Sequence, residues 1–426
     1  MYRSNNQYFG EIRQYLDRIP IIETHEHYTQ YYGAENALDF ILGNYYNSDY
    51  QSAGGINLPE EMPAKERYER FLTFYNKSKH TAYACGMIEG LRLCWGIDNI
   101  DNYENFQILE EKLKSRDVSI YERTMEKLNI KAKVVDIWNL MDIIDGKITG
   151  YSKYCRFAFT LPSFHDNHSK QDLLKYQKYL NRTVVCLDDY LESFDNYLQK
   201  CVDFGAVCFK DQTAYRRSIA YGNPTKDEAE KVFNSMMSNP REIVGDDRAV
   251  ALDDWLFHYA MRKAAQHDLP VQIHTGHMAG IRNDIVKTNA AHLIPTLEMH
   301  EDVKFDLFHG NWPYMDEYLY IGKNYPNAYL NLCWVQSIDP IYCIELMKRA
   351  VMTVPHSKVM AFGGDTGMVE WTAAYLSQAK DNVSCALSEL TDSGWLNIAE
   401  AKQIAADWFF NNPNHLFKLG FEPFKA

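Results

Sequence analysis

The chain has 426 residues, 46% of them hydrophobic, which is enough to bury one enlarged domain or two. Its formal charge of −13 excludes nucleic acid or an anionic membrane surface as the main partner. No apolar run of about 18 residues occurs, so no transmembrane helix is expected. The opening Met1-Tyr-Arg-Ser-Asn-Asn lacks the apolar core of a secretory signal, and nine scattered cysteines without a Cys-x-x-Cys pair read as reduced, buried thiols; the cytoplasm is the expected compartment.

Taken in order, eight short apolar runs read as strands: Ile19–Thr24, Ala132–Ile137, Cys155–Leu161, Ala206–Phe209, Val271–Ile273, Lys304–Phe308, Ala328–Cys333 and Val359–Gly363. Continuous apolar runs of this length suit strands covered on both faces. Helical patterns lie between them. Val118, Tyr121, Met125 and Leu128 share a helical spacing, as do Ile344, Met347 and Val351, and Val383, Leu387 and Leu390. Asn397 with Glu400 reads as a capping box that opens a last helix through Ile398, Ala401, Ile404, Ala405 and Trp408. Repeated strand–helix alternation predicts a parallel sheet, and eight such units predict a closed (β/α)8 TIM barrel.

Between the first and second strands about 100 residues intervene, far more than a βα connection needs. Residues 28–130 are therefore expected to form a helical cap inserted into a barrel of residues 1–27 and 131–426. Leaving the carboxyl end of the first strand, the cap should lie over the barrel mouth. Its tyrosines Tyr28, Tyr31, Tyr32, Tyr45 and Tyr46 either line an entrance or pack the cap itself.

The strand ends carry the chemistry. The first stops at His25-Glu-His27, and two residues apart on a strand share one face, about 6.6 Å from each other along the backbone. Later strands end in His274-Thr-Gly, His309-Gly-Asn and Gly-Gly-Asp365. Each alone has a structural explanation, such as a hydrogen-bonded core histidine or a helix N-cap. At the carboxyl ends of parallel strands in one barrel they converge, and imidazole with carboxylate suits a divalent transition metal.

With these residues in this order, the chain resembles the amidohydrolase superfamily, whose (β/α)8 barrels hold one or two divalent metals. His25 and His27 match the first-strand motif, His274 the fifth-strand ligand, His309 the sixth-strand histidine and Asp365 the last-strand aspartate. Phe209-Lys210, Ala214-Tyr215-Arg216 and His274-Thr275-Gly276 further resemble the amidohydrolase-type domains fused to glutamine-synthetase-like domains, although no synthetase-like domain is expected here. A lesser likeness, through the His-x-His, the late aspartate and Arg282-Asn283, is to uronate isomerases; the Gly-Gly-Asp365-Thr-Gly ending fits the hydrolytic branch better.

The resemblance implies a metal-dependent hydrolase that cleaves an amide-type C–N bond of a small carboxylated molecule, with an aldose–ketose isomerase or a decarboxylase as alternatives. It implies one metal rather than two, zinc first and manganese or iron next, held by His25, His27, His274 and Asp365. Asp365 would also take the proton of the attacking water. His309 would contact a second metal or polarise the substrate carbonyl. Lys210 would bind a substrate carboxylate, or, as in two-metal relatives, carry a bridging carbamate. Tyr215, Arg216 and Arg282 follow the fourth and fifth strands on the same face and are expected to contact substrate, since arginine binds carboxylates bidentately. His165 and His168, after the third strand, are set aside as loop histidines. A small-molecule substrate is the expected partner, and a homo-oligomer is compatible with everything above.

Overall fold

The computed structural model describes residues 2–27, 36–117, 119–137 and 140–425. Eight parallel strands follow one another in a single sheet: β1 (Ile21–Glu26), β2 (Ile130–Asp136), β3 (Cys155–Thr160), β4 (Cys208–Asp211), β5 (Val271–Ile273), β6 (Phe305–Leu307), β7 (Ala328–Asn331) and β8 (Val359–Met360). The circle is closed by the segment after β8. Thr24 N–H donates to the Phe362 carbonyl at 3.0 Å, Asp365 N–H to His25 at 3.0 Å, and His27 N–H to Thr366 at 3.2 Å. The expected (β/α)8 barrel with a helical insertion after the first strand is what forms, and each of the eight apolar runs overlaps a strand. β1 continues two residues past the expected end at Thr24, because the last segment pairs with it there.

The barrel interior is layered. Val134, Ala158, Cys208 and Met360 meet Leu416 and Phe417 of the carboxyl-terminal segment in a dry plug. Nearer the mouth the filling becomes polar. Asp306 accepts from Gln272 Nε2 and Asn331 Nδ2, both at 3.1 Å, and Thr24 Oγ1 donates to Asn331 Oδ1 at 3.0 Å. All four are fully buried, and burial pushes the Asp306 carboxyl up to about 7. The layer satisfies part of its own polarity, with Gln272 Oε1 and Asp306 Oδ1 left without a hydrogen-bond partner.

Helix α1 (Phe9–Leu16) precedes β1. Among its described residues the insertion holds six helices: α2 (Ala37–Leu42), α3 (Tyr46–Ser52), α4 (Ala64–Ser78), α5 (Ala82–Trp95), α6 (Tyr103–Lys114) and α7 (Ser119–Lys127). Local chemistry sets their ends. Asn36, Thr81 and Asn102 accept from the third residue of α2, α5 and α6, and α5 stops at Gly96 in the left-handed region. Of the expected helix positions, Tyr121 and Met125 lie in α7 while Val118 falls outside the described residues. Helices Pro340–Thr353, Val369–Asp392 and Ile398–Ala406, the last opened by the Asn397–Glu400 capping box, fall where the spacing put them.

The insertion is fastened to the barrel at defined points. A Cβ on Gly90 would come within 2.7 Å of the Glu370 carbonyl, and one on Gly86 within 2.8 Å of Gln378 Oε1. These two glycines, four apart on one face of α5, let it lie directly on helix Val369–Asp392. Arg116 forms a buried double hydrogen bond with Glu370, at 2.7 and 2.8 Å. Tyr121 on α7 donates to Glu26 at 2.9 Å. The cap is thus held against β1 and the last barrel helix, beside the mouth.

Candidate metal centre

Alternation along β1 sends His25 and His27 one way and Glu26 the other. Glu26 is fully buried and accepts from Tyr121 and from Thr372 Oγ1 at 2.7 Å, with Lys133 Nζ 3.0 Å away. The middle residue of the His-Glu-His run therefore anchors the strand while its neighbours face the mouth. Opposite, Gly363 and Gly364 leave no room for a side chain: a Cβ would meet Cys333 Sγ at 2.7 Å or Glu23 Oε1 at 2.6 Å. The chain then turns through Asp365 at φ 52°. His309 (φ 61°) and Trp334 (φ 64°) are also left-handed, so three residues at the mouth hold a conformation costing about 1–3 kcal/mol each.

Five of the predicted residues come together. Asp365 Oδ1 lies 3.0 Å from His27 Nε2 and 3.3 Å from His25 Nε2; its Oδ2 is 3.8 Å from His309 Nε2, which in turn is 3.2 Å from His274 Nδ1. Three of the imidazoles use their outer nitrogen on a backbone carbonyl: His27 on Asp136 (3.3 Å), His274 on His277 (2.7 Å) and His309 on Cys333 (3.0 Å). A carbonyl only accepts, so those nitrogens carry the hydrogen, and in a neutral ring the inward nitrogen presents a lone pair. His274 and His309 thus turn lone pairs inward, while His25 and His27 hydrogen-bond the Asp365 carboxylate through Nε2. That donor set fits a divalent cation held by His25, His27, His274 and Asp365, with His309 within reach of a second.

The electrostatics agree. Burial first, then the neighbouring His309, pushes His274 well below the usual histidine range; burial pushes His309 down to about 3. Both are neutral and available as ligands. Burial also works to lower His27, but the Asp365 hydrogen bond and charge outweigh it and raise the ring to about 8. For Asp365, burial favours protonation, yet His25 and His27 hold it well below the usual carboxylate range.

Lys210, the last residue but one of β4, stands beside this cluster. It is 1% exposed, its Nζ has no hydrogen-bond partner and stands 4.1 Å from the Phe308 ring centre, and burial lowers its pKa. Tyr215 packs edge-on against His274 at 4.7 Å and accepts from Ala279 N–H at 3.2 Å. Arg216 instead pairs with Asp166 and, at 2.5 Å, with Asp246, beside His168. Arg282 is exposed and lines a groove against the cap. His165 is buried 3.5 Å from Asp211. Of the cap tyrosines, Tyr46 bonds Ser78 within the cap (2.8 Å), and Tyr28, Tyr31 and Tyr32 lie outside the described residues.

Of the cap tyrosines, Tyr45 does reach the centre, and several residues join it that carry little advance signal. Tyr45 donates to the Asp365 carbonyl and stacks 4.1 Å from Trp334, which lies 5.1 Å from His309 and 4.8 Å from His277. Tyr83 from α5 reaches His277 Nε2 at 3.4 Å. Asp136, at the end of β2, shares ligand-distance space with His25 and His27, but Thr160 and Gln212 already occupy its oxygens. A carboxylate closing a strand was the one sequence cue available for it. Cys333 lies within ligand distance of His309 and Asp365, with its thiol kept protonated by burial.

Fold and cluster together define the class: a parallel (β/α)8 barrel whose strand ends gather an imidazole–carboxylate set suited to a divalent metal. The family model for amidohydrolase matches residues 230–411, a span that takes in His274, His309 and Asp365. The resemblance to the amidohydrolase superfamily is thereby borne out. Protein FluG of Emericella nidulans is 27% identical over 236 residues, 52% of this chain; the chain matches only 26% of that relative's length. Two solved structures share the fold across nearly the whole chain. Uronate isomerase from Thermotoga maritima has a TM-score of 0.82 at 12% identity, covering 97% of this chain and 98% of its own. Glucuronate isomerase from Caulobacter crescentus has a TM-score of 0.78 at 16% identity, covering 99% and 96%. Among the described residues, no helix is long and apolar enough to cross a membrane.

Proposed function

We propose that this chain is a metal-dependent hydrolase cleaving the C–N bond of a small, carboxylated amide. The observation that carries the reading is the Asp365 carboxylate facing His25 and His27 at 3.3 and 3.0 Å, with the inward lone pairs of His274 and His309 behind it. A divalent ion in this set, zinc by preference, would supply a water of lowered pKa and an electrophile for the substrate carbonyl. Asp365 Oδ1 is shared by two imidazoles, which leaves Oδ2 as the freer oxygen to take the water's proton and return it to the leaving nitrogen. His309, neutral and with its hydrogen on the Cys333 side, suits a ligand or proton acceptor better than a donor to the carbonyl. Tyr45, Tyr83 and Trp334 stack on one another and wall one side of the centre. Metal-loaded protein offered N-acyl and γ-glutamyl amides should release free amine, and release should stop with a chelator and resume with zinc; amine release untouched by chelation would end the reading.

A second reading, aldose–ketose isomerisation, is favoured by the likeness to two uronate isomerases over at least 97% of the chain. Incubation with uronates and detection of the ketose separates it from amide hydrolysis.

A further inference from the structure

Beside the metal centre lies a groove of about 660 Å³ between the cap and the loop after β5. Leu42, Gly43, Asn47 and Gln51 line both this groove and a smaller cavity of about 350 Å³ that opens on His27 and Asp365. The groove and the cavity at the cluster therefore share a wall, and two arginines line the groove, Arg67 from the cap and Arg282 from the loop after β5.

Arg67, on α4, is only 9% exposed. Its Nη2 donates weakly to the Leu58 carbonyl at 3.4 Å and lies 3.8 Å from Asp39, while its Nε is buried without a partner. Asp39 is itself engaged, accepting from Asn36 Nδ2 at 2.7 Å. A guanidinium kept from water needs its donors filled, and here Nε is left without a partner while the ion pair with Asp39 is long, at 3.8 Å. Arg282 stands on the other wall, in the left-handed region at φ 62° and in no ion pair among the described residues. Asn283 fixes its loop by donating to the Met278 and Ala279 carbonyls at 3.2 and 2.9 Å.

We propose that Arg67 and Arg282 form a distal anion subsite, which takes the far carboxylate of an extended substrate while the scissile end sits at Asp365. This deepens the reading above and rests on it for the position of the scissile end. The Asn47 and Gln51 side chains on the shared wall suit a polar chain between the two ends. The class of substrate is then a doubly functional molecule, an amide at one end and a carboxylate at the other, rather than a simple acyl amide.

The test uses calorimetric titration of the metal-loaded protein with the α,ω-dicarboxylates from malonate to pimelate, each against the monocarboxylate of the same length. At least one dicarboxylate should bind about 10-fold tighter than its monocarboxylate at low salt. Arg282→Gln should cut that preference to about 2-fold or less with metal content and melting temperature unchanged. Arg67→Gln should do the same; because Arg67 is buried and that variant can lose its fold, the exposed Arg282 position decides. A wild-type protein without preference at any length, or an Arg282→Gln protein that keeps it, overturns the subsite. Metal content and amide turnover are read in the same preparations. A protein that prefers dicarboxylates yet hydrolyses nothing keeps the subsite and loses the hydrolytic reading, and a hydrolase without the preference does the reverse.

Discussion

In metal-free protein His27 should titrate near 8, and replacing its partner should bring it below the ordinary histidine value of 6.5. The ring is raised chiefly because Asp365 Oδ1 stands 3.0 Å from Nε2, with a smaller push from the Asp136 charge; burial alone would lower it. Asp365→Asn keeps the shape and removes the charge. A fall from about 8 to below 6.5 corresponds to about 2 kcal/mol of lost proton affinity. In the proposed centre the same nitrogen would hold the metal, so proton and metal would compete for it. His274 and His309 are already neutral at pH 6, and Asp365 already ionised, so only His27 must give up a proton. Apparent metal affinity should therefore rise about 10-fold per pH unit from 6 to 8. The sign for stability is fixed too. A histidine raised in the folded state stabilises the apo-protein below pH 6.5, and that contribution fades as pH climbs through 8. Histidine NMR on chelator-treated protein and zinc titrations at pH 6, 7 and 8 measure both. A wild-type His27 titrating at or below 6.5, or zinc affinity independent of pH, would refute the reasoning.

Other outcomes are expected from the same geometry. Elemental analysis should find about one to two equivalents of transition metal per chain; protein that turns over amides without metal would contradict it. Asp365→Asn should lower kcat by about 10²-fold or more with the fold intact, as judged by circular dichroism; near-normal turnover would send the proton elsewhere. Away from the mouth, His300 faces His258 across 2.9 Å and is pushed down to about 4, first by burial and then by His258. The folded state keeps it neutral, so stability should fall as pH drops from 6.5 towards 4, by about 1–2 kcal/mol once solvent screening is allowed for. His300→Gln should flatten that limb in urea melts; an unchanged limb would place the acid sensitivity elsewhere.

Much of the barrel is legible in the chain because strands buried on both faces must read as apolar runs, and a histidine or aspartate closing such a run stands out. The same logic is blind to contributions that depend on packing. Tyr83 reaches the centre because Gly86 and Gly90 let α5 lie on helix Val369–Asp392, a contact across almost 300 residues of chain. Asp136 matters through its carbonyl, which orients His27, and no residue type announces a carbonyl. Arg216 and Arg282 follow strands on the same face and look alike in sequence; the structure gives one to Asp166 and Asp246 and leaves the other on the cap groove. Arg67 lies in the insertion, where only tertiary structure decides which helix reaches the mouth.

Lys210 decides between one metal and two, and charge alone does not settle the matter. With a single dication, an ammonium at Lys210 and one carboxylate at Asp365, the centre holds two net positive charges. With two dications and a carbamate at Lys210, the balance is the same, and Asp136 lowers both equally. Hydrogen bonding separates them, because the Lys210 Nζ has no partner and stands against the Phe308 ring. An unpartnered buried ammonium is costly, so Lys210→Met should stabilise chelator-treated protein by about 1–3 kcal/mol. In the loaded enzyme the same variant discriminates. If the amine is free, metal content stays at one equivalent and KM rises while kcat holds, the signature of binding shared by ground and transition states. If it carries a bridging carbamate, one equivalent of metal and most of kcat are lost together, and added short carboxylates restore part of both. A Lys210→Met protein less stable than wild type without metal would mean that the ammonium is satisfied in solution, and the argument from its missing partner would fail.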